Sequence, residues 1–291
     1  MPRSGSQRGV GEGQGRARRW RGSLFVGAAL GGVLLPAGCL SPARQFSDMA
    51  AGLGMQAGVV PGASFQHVVF QNPRQGGDTL HVYIDGDGTP WQVGRPASDP
   101  TPREPLLLRL MALDPSPSLY LGRPCYHGLS RTPPCAGALW TDQRYSEAVV
   151  TSMAAGLERV LHEKGFARVI WFGYSGGGTL ATLLAPRIAQ TVGVVTVAAN
   201  LDIDTWADLH GYPHLAGSLN PAGQPPISSR IYQRHYVGDK DTVVPKAIVA
   251  RGPIDPATLI VIPSYDHRCC WTALWPAILA EVEQGTRPGG R

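Results

Sequence analysis

Two hydrophobic periods alternate along the chain. Short apolar runs rich in β-branched and aromatic residues occupy 64–71, 79–85, 119–121, 168–173, 192–198, 231–237 and 259–262. Each is bounded by Gly, Pro, Asn, Asp or Ser, which is how strands are punctuated. Helical spacing fills several of the gaps. From Ser146 to Lys164 the apolar residues Val149, Val150, Met153, Leu157 and Leu161 repeat at helical intervals; Ser146 is a fitting cap and Gly165 a stop. Pro105–Leu113 predicts a buried helix with its proline in the first turn, and Trp271–Val282 predicts a closing helix. The first two runs flank the turn Asn72–Asp78 and are expected to form a hairpin. Strands alternating with helices over this length specify an α/β fold, with a mostly parallel central sheet flanked by helices. The small, glycine-bearing stretch 39–62 reads as a flexible tether, 63–284 as one folded domain and 285–291 as a disordered tail.

Composition supports a sizeable core: of 291 residues, 43% are hydrophobic and only 16% charged. The net charge of +5 would suit a polyanionic partner. Its placement removes that reading. Residues 1–38 hold six arginines and one acid, Glu12, so everything after Gly38 is neutral and no nucleic-acid partner is expected. The basic start precedes the apolar run Leu24–Leu35, too short to span a bilayer, and 1–38 is therefore expected to be a signal peptide. It ends in Leu35-Pro36-Ala37-Gly38-Cys39, which resembles a bacterial lipobox with Pro36 in the usual aliphatic place. Export with lipidation at Cys39 is expected, giving an envelope protein that faces the periplasm and meets the membrane only through that anchor. Ordinary cleavage to a soluble periplasmic or secreted form is the alternative. The remaining four cysteines suggest disulfides. Cys125 with Cys135 is the simplest bridge; Cys269 and Cys270 are then a vicinal pair, free, or crossed with the others. Their spacing fits no common zinc pattern, and neither metal nor cofactor is expected.

The chemistry gathers around Gly173-Tyr174-Ser175-Gly176-Gly177, a G-x-S-x-G pattern between an apolar strand and an apolar helix. A serine on such a bend is lifted clear of the sheet. Its hydroxyl needs a base, and the base an orienting acid. After the strand 231–237 lies Gly238-Asp239-Lys240-Asp241-Thr242-Val243-Val244-Pro245, offering Asp241, with Asp239 as the fallback. After the last strand, Pro263-Ser264-Tyr265-Asp266-His267 offers His267, whereas His210 and His214 sit in a long connection and His235 inside a strand. An earlier strand, His81–Ile84, ends in Asp85-Gly86-Asp87-Gly88, whose glycines expose backbone amides.

These four segments, in this order, resemble an αβ-hydrolase, in particular exported bacterial members with a Y-I-[DE]-G-D-G loop and a D-H-x-C-C-W ending. The resemblance implies the αβ-hydrolase fold with an eight-stranded type of sheet, and acyl-enzyme chemistry at a Ser175, His267, Asp241 triad. It also implies an oxyanion hole made by the amides of Gly176 and Asp87. A carboxylate at position 87 opposes a developing oxyanion unless it is paired or turned away. The implied substrate is a small acyl compound, an ester before an amide. Tyr174, Tyr126, His127 and Trp206, in or beside loops at the strand ends, are the expected substrate-binding residues. Acyl transfer at the same site, and a non-catalytic envelope binding protein, are the alternatives. The sequence gives no indication of oligomeric state.

Overall fold

The computed structural model describes residues 40–287. The expected signal peptide and lipidated Cys39 lie outside them. The described chain runs α1 (Pro42–Gly52), β1 (Gln56–Pro61), β2 (Gln66–Gln71), β3 (Thr79–Ile84), β4 (Trp91–Gln92), β5 (Arg95–Pro96) and α2 (Leu106–Ala112). It continues through β6 (Ser118–Leu121), α3 (Glu147–Lys164), β7 (Arg168–Tyr174), α4 (Gly176–Leu184), β8 (Thr191–Val197) and α5 (Ile203–His210). Then follow β9 (Tyr232–Gly238), α6 (Lys246–Val249), β10 (Leu259–Ile262) and α7 (Trp271–Thr286). Eight strands form one sheet in the order β1-β2-β6-β3-β7-β8-β9-β10, parallel from β6 to β10, while β4 and β5 make a separate small hairpin.

Alternation along the central strands divides the core in two. Leu80, Val82 and Ile84 of β3 and Val169 and Trp171 of β7 point to one face, where α3 and α4 pack. Tyr83, Ile170 and Phe172 point to the other, against α2 and α7 with its Trp271 and Trp275. Buried on both sides, these strands read as continuous apolar runs, as parallel strands under two helical layers do. Ser146 caps α3 by accepting from the Val149 amide, and Gly165 closes it at φ 73°. That left-handed conformation suits glycine.

Three expectations are corrected. Residues 39–62 are no tether from Pro42 onward. Ser41 caps α1, whose Ala43, Phe46 and Ala50 form a buried face, with the Phe46 ring 5.2 Å from Phe70 and 5.1 Å from Tyr120. β1 adds an antiparallel edge beside β2. β2 and β3 do not form a hairpin, because β6 lies between them. Asn72 explains the detour: its side chain donates to the Ser116 carbonyl at 2.8 Å and accepts from the Ser118 amide at 2.9 Å, tying the end of β2 to the start of β6. Finally, α7 runs on through residues 285 and 286, where a tail was expected.

The parallel register sets the site. Ile84 pairs with Gly173, Tyr174 with Val197, Val197 with Tyr236, and Gly238 with Ile262. The loops that follow β3, β7, β9 and β10 therefore leave the same edge of the sheet, where ligands bind in open α/β sheets.

Candidate active site

Ser175 ends β7 and opens α4 with φ 51° and ψ −123°, a strained conformation for a residue with a Cβ. The glycines around it are required by contact. A methyl group at Gly173 would strike the backbone of Gly177 and Gly178, one at Gly177 the carbonyls of Ile84 and Asp85, and one at Gly178 the side chain of Ala199. The bend thus rests directly on β3 and β8, and the serine is held out at the sheet edge.

The structure brings Ser175, His267 and Asp241 together. His267 Nε2 lies 3.1 Å from Ser175 Oγ, and His267 Nδ1 lies 2.9 Å from Asp241 Oδ2. Asp241 is buried, and its other oxygen accepts from the amides of Val243 at 2.9 Å and Val244 at 2.8 Å. With the carboxylate accepting, Nδ1 carries the ring proton and Nε2 is free to accept from the serine hydroxyl. Trp271 donates to the His267 carbonyl at 3.2 Å, and the Tyr174 ring lies 5.1 Å from the imidazole. Asp239, the fallback acid, instead accepts from the Ser264 amide at 2.7 Å and ties the β9 loop to the β10 loop. His235 is buried in β9, and His210 and His214 are engaged with Val243 and Asp208 on α5.

The loop after β3 closes over the bend. The carboxylate of Asp87 packs against Gly176, beneath the first turn of α4. Its charge is fully engaged: Arg123 and Arg144 each approach at 2.8 Å, and the Tyr145 hydroxyl donates to both oxygens at 2.7 Å. Burial alone would push this carboxyl up, but the two guanidinium groups and the hydroxyl outweigh it and hold Asp87 below the usual carboxylate range. Asp85 accepts from the Gly86 amide at 2.9 Å and the Leu107 amide at 3.1 Å, capping α2. Burial raises its carboxyl from 3.8 to about 6. Arg123 also donates to the Asp85 carbonyl at 3.2 Å, so one side chain pins both acids' residues. Arg123→Met should remove about 3 kcal/mol of stability by leaving a buried ion pair half broken, read as a lower urea midpoint at unchanged slope.

A cleft of about 470 Å³ opens beside Ser175, lined by the Asp85–Thr89 loop, the Pro102–Glu104 segment, Leu106 and Arg109 of α2, Tyr174, His267 and Arg268. Of the four aromatic and histidine residues expected to bind substrate, only Tyr174 lines it. Tyr126 is buried and donates to the Asp87 carbonyl at 2.9 Å, so it supports the loop from behind. His127 is buried among Phe46, Phe70 and Tyr120. Trp206 donates to the Val243 carbonyl at 2.8 Å and packs at a tilt against His210 and Tyr212, bracing the acid loop from outside. Aromatics in loops at strand ends pack as readily as they bind, and here three of four pack. Cys125 is bonded to Cys135 as expected; Cys269 and Cys270 are bonded to each other, one of the pairings the sequence left open.

Sequence reasoning missed Arg123, Arg144 and Tyr145, whose partner Asp87 lies 57 residues before Arg144. The one local signal was a charged residue, Arg123, one glycine beyond the apolar run Leu119–Leu121.

No family model matches the chain, and no curated protein matches it. Solved structures do. A membrane phospholipase A described as a bacterial virulence factor is 13% identical, with 83% of this chain covering 91% of that one at a TM-score of 0.50. A puromycin-hydrolyzing peptidase of Mycobacterium tuberculosis is 15% identical at a TM-score of 0.54; 80% of this chain covers only 39% of that one. Alpha/beta hydrolase domain-containing protein 10 from mouse is 12% identical, with coverages of 78% and 97% and a TM-score of 0.51. The first two names span a lipid and a peptide-type substrate. At these identities the likeness is one of fold.

Proposed function

We propose that this chain, which has the αβ-hydrolase fold, is an exported serine hydrolase that cleaves a carboxylic ester through an acyl-enzyme. The observation that carries the reading is the hydrogen-bonded line from Ser175 through His267 to buried Asp241 at the carboxyl edge of the sheet. Ser175 Oγ attacks the acyl carbon as its proton passes to His267 Nε2. Asp241 holds the imidazole and stabilises its cation. The carbonyl oxygen, now negative, is held by the amides of Gly176 and Asp87; each such donor is typically worth about 3 kcal/mol in the transition state. The intermediate collapses, and the leaving alkoxide takes the proton from Nε2. Water then attacks the acyl-enzyme by the same route, releasing the acid and restoring Ser175. With Asp87 already bound to Arg123 and Arg144, its carboxylate does not oppose the oxyanion.

Export belongs to this proposal, with lipidation at Cys39 as its membrane attachment. The pairing of all four cysteines beyond Cys39 fits an oxidising compartment. With 4-nitrophenyl esters of increasing acyl length, the purified protein should release a burst approaching one equivalent of 4-nitrophenol before steady state, as an accumulating acyl-enzyme requires. Absence of turnover with every ester would remove the reading.

A further inference from the structure

Hydrophobic side chains are few in the cleft beside Ser175. Its hydrophobic side chains are Pro102, Leu106 and Tyr174, and Leu106 is half-buried in α2. A long acyl chain gains its affinity from apolar area removed from water, and three such groups in an open cleft supply little of it. Charge is what the lining has in quantity.

Its three acids, Asp85, Asp87 and Glu104, equal its three arginines, Arg103, Arg109 and Arg268, but Arg123 and Arg144 behind Asp87 leave a positive surplus. Asp87 is bound to Arg123 and Arg144 beneath the bend. Asp85 is buried and turned to the amides of Gly86 and Leu107. Glu104 and Arg268, both well exposed, meet at 3.2 Å. Two lining cations remain, Arg103 on the segment before α2 and Arg109 in its last turn. Both are exposed, and neither has an acidic partner among the described residues. Both line the same cleft as Leu106, Ser175 and His267. A substrate that fills this cleft with its acyl carbon at Ser175 therefore shares it with two unpaired guanidinium groups, the residue type best shaped to grip a carboxylate or phosphate.

We infer that Arg103 and Arg109 form an anion-binding subsite, and that the ester cleaved here carries a carboxylate or phosphate group beyond its scissile bond. The inference rests on the hydrolase reading above and adds the charge of the substrate to it. The two arginines act on recognition rather than on the bond being broken, so their effect falls on kcat/KM for charged esters relative to neutral ones.

The test compares 4-nitrophenyl hydrogen adipate with 4-nitrophenyl hexanoate, which share leaving group and acyl length and differ in the terminal carboxylate. The purified protein should prefer the adipate in kcat/KM by about tenfold at low salt, a few-fold per exposed charge contact. The preference should shrink as salt is raised toward about 0.5 M, where exposed charges are screened. R103E/R109E should lower the adipate-to-hexanoate ratio by at least as much; because it is a ratio within one preparation, loss of folded enzyme cancels. Inorganic phosphate and free adipate, used as competitors of hexanoate hydrolysis, show which anion the subsite prefers. Hexanoate turnover with a ratio near one, insensitive to salt and to the double substitution, overturns the inference and leaves the hydrolase reading standing. Turnover of neither ester overturns both.

Discussion

Asp241→Asn should lower kcat about 10⁴-fold while leaving the protein folded. The reason lies in what each carboxylate oxygen does. Oδ1 accepts from the Val243 and Val244 amides, and an asparagine carbonyl oxygen can replace it there. The amide NH2 must then face His267 Nδ1, where Oδ2 stood at 2.9 Å. A donor against Nδ1 forces the ring proton onto Nε2, the nitrogen that faces Ser175 Oγ. The imidazole then cannot accept the serine proton, although nothing has moved. Burst kinetics should show acylation slowed and an unfolding midpoint close to the parent's. A loss of less than about tenfold would mean that Asp241 does not orient the base.

The second large effect is on stability in acid. His67, His127 and His235 are buried, and burial lowers each from 6.5, to about 4, about 3 and about 3 respectively. His67 lies between the Gly122 carbonyl at 3.0 Å and Ser152 Oγ at 2.9 Å, and His235 lies 2.8 Å from Thr196 Oγ1. The folded state keeps all three neutral where the unfolded chain protonates them. Their contribution is therefore complete above about pH 6.5 and is lost as pH falls toward the folded values. At about pH 4.5 each costs about 2–3 kcal/mol, or about 8 together. Asp85 works the other way: with its folded value near 6, it takes up a proton in the folded state first and returns about 2 kcal/mol. The net loss of about 6 kcal/mol is comparable to the whole stability of a typical domain. Tryptophan fluorescence and circular dichroism should therefore report cooperative unfolding with a midpoint between about pH 4 and 5. His127→Phe, which keeps a ring among Phe46, Phe70 and Tyr120 but cannot protonate, should move that midpoint to lower pH. A midpoint below about pH 3 would contradict the assignment of these histidines as buried and neutral.

What could be read from the sequence follows from how local each signal is. The Ser175 bend was legible because strand, glycines and helix are contiguous, and the geometry of the turn demands those glycines. Asp241 and His267 were legible because a parallel sheet sends every strand end to one edge, so order along the chain becomes proximity in space. Pairing partners were not legible in the same way. The hairpin between β2 and β3 failed because β6, which separates them, comes later in the chain and is held there by Asn72. α1 was hidden by its small residues, since three buried positions, Ala43, Phe46 and Ala50, carry its only apolar face. β1 is an exposed edge strand whose place is set by backbone pairing, which leaves little side-chain pattern. The expected conflict at Asp87 dissolved for the same reason: Arg123 and Arg144, distant in sequence, turn a lone carboxylate into a paired one.

Labelling of the purified protein with a fluorophosphonate probe tests the central claim most directly, because the probe bonds covalently only to a serine whose hydroxyl is activated by a base. The account predicts one labelled site, at Ser175, with labelling abolished in both Ser175→Ala and His267→Ala. Folded protein that stays unlabelled, or that labels equally in Ser175→Ala, would contradict it.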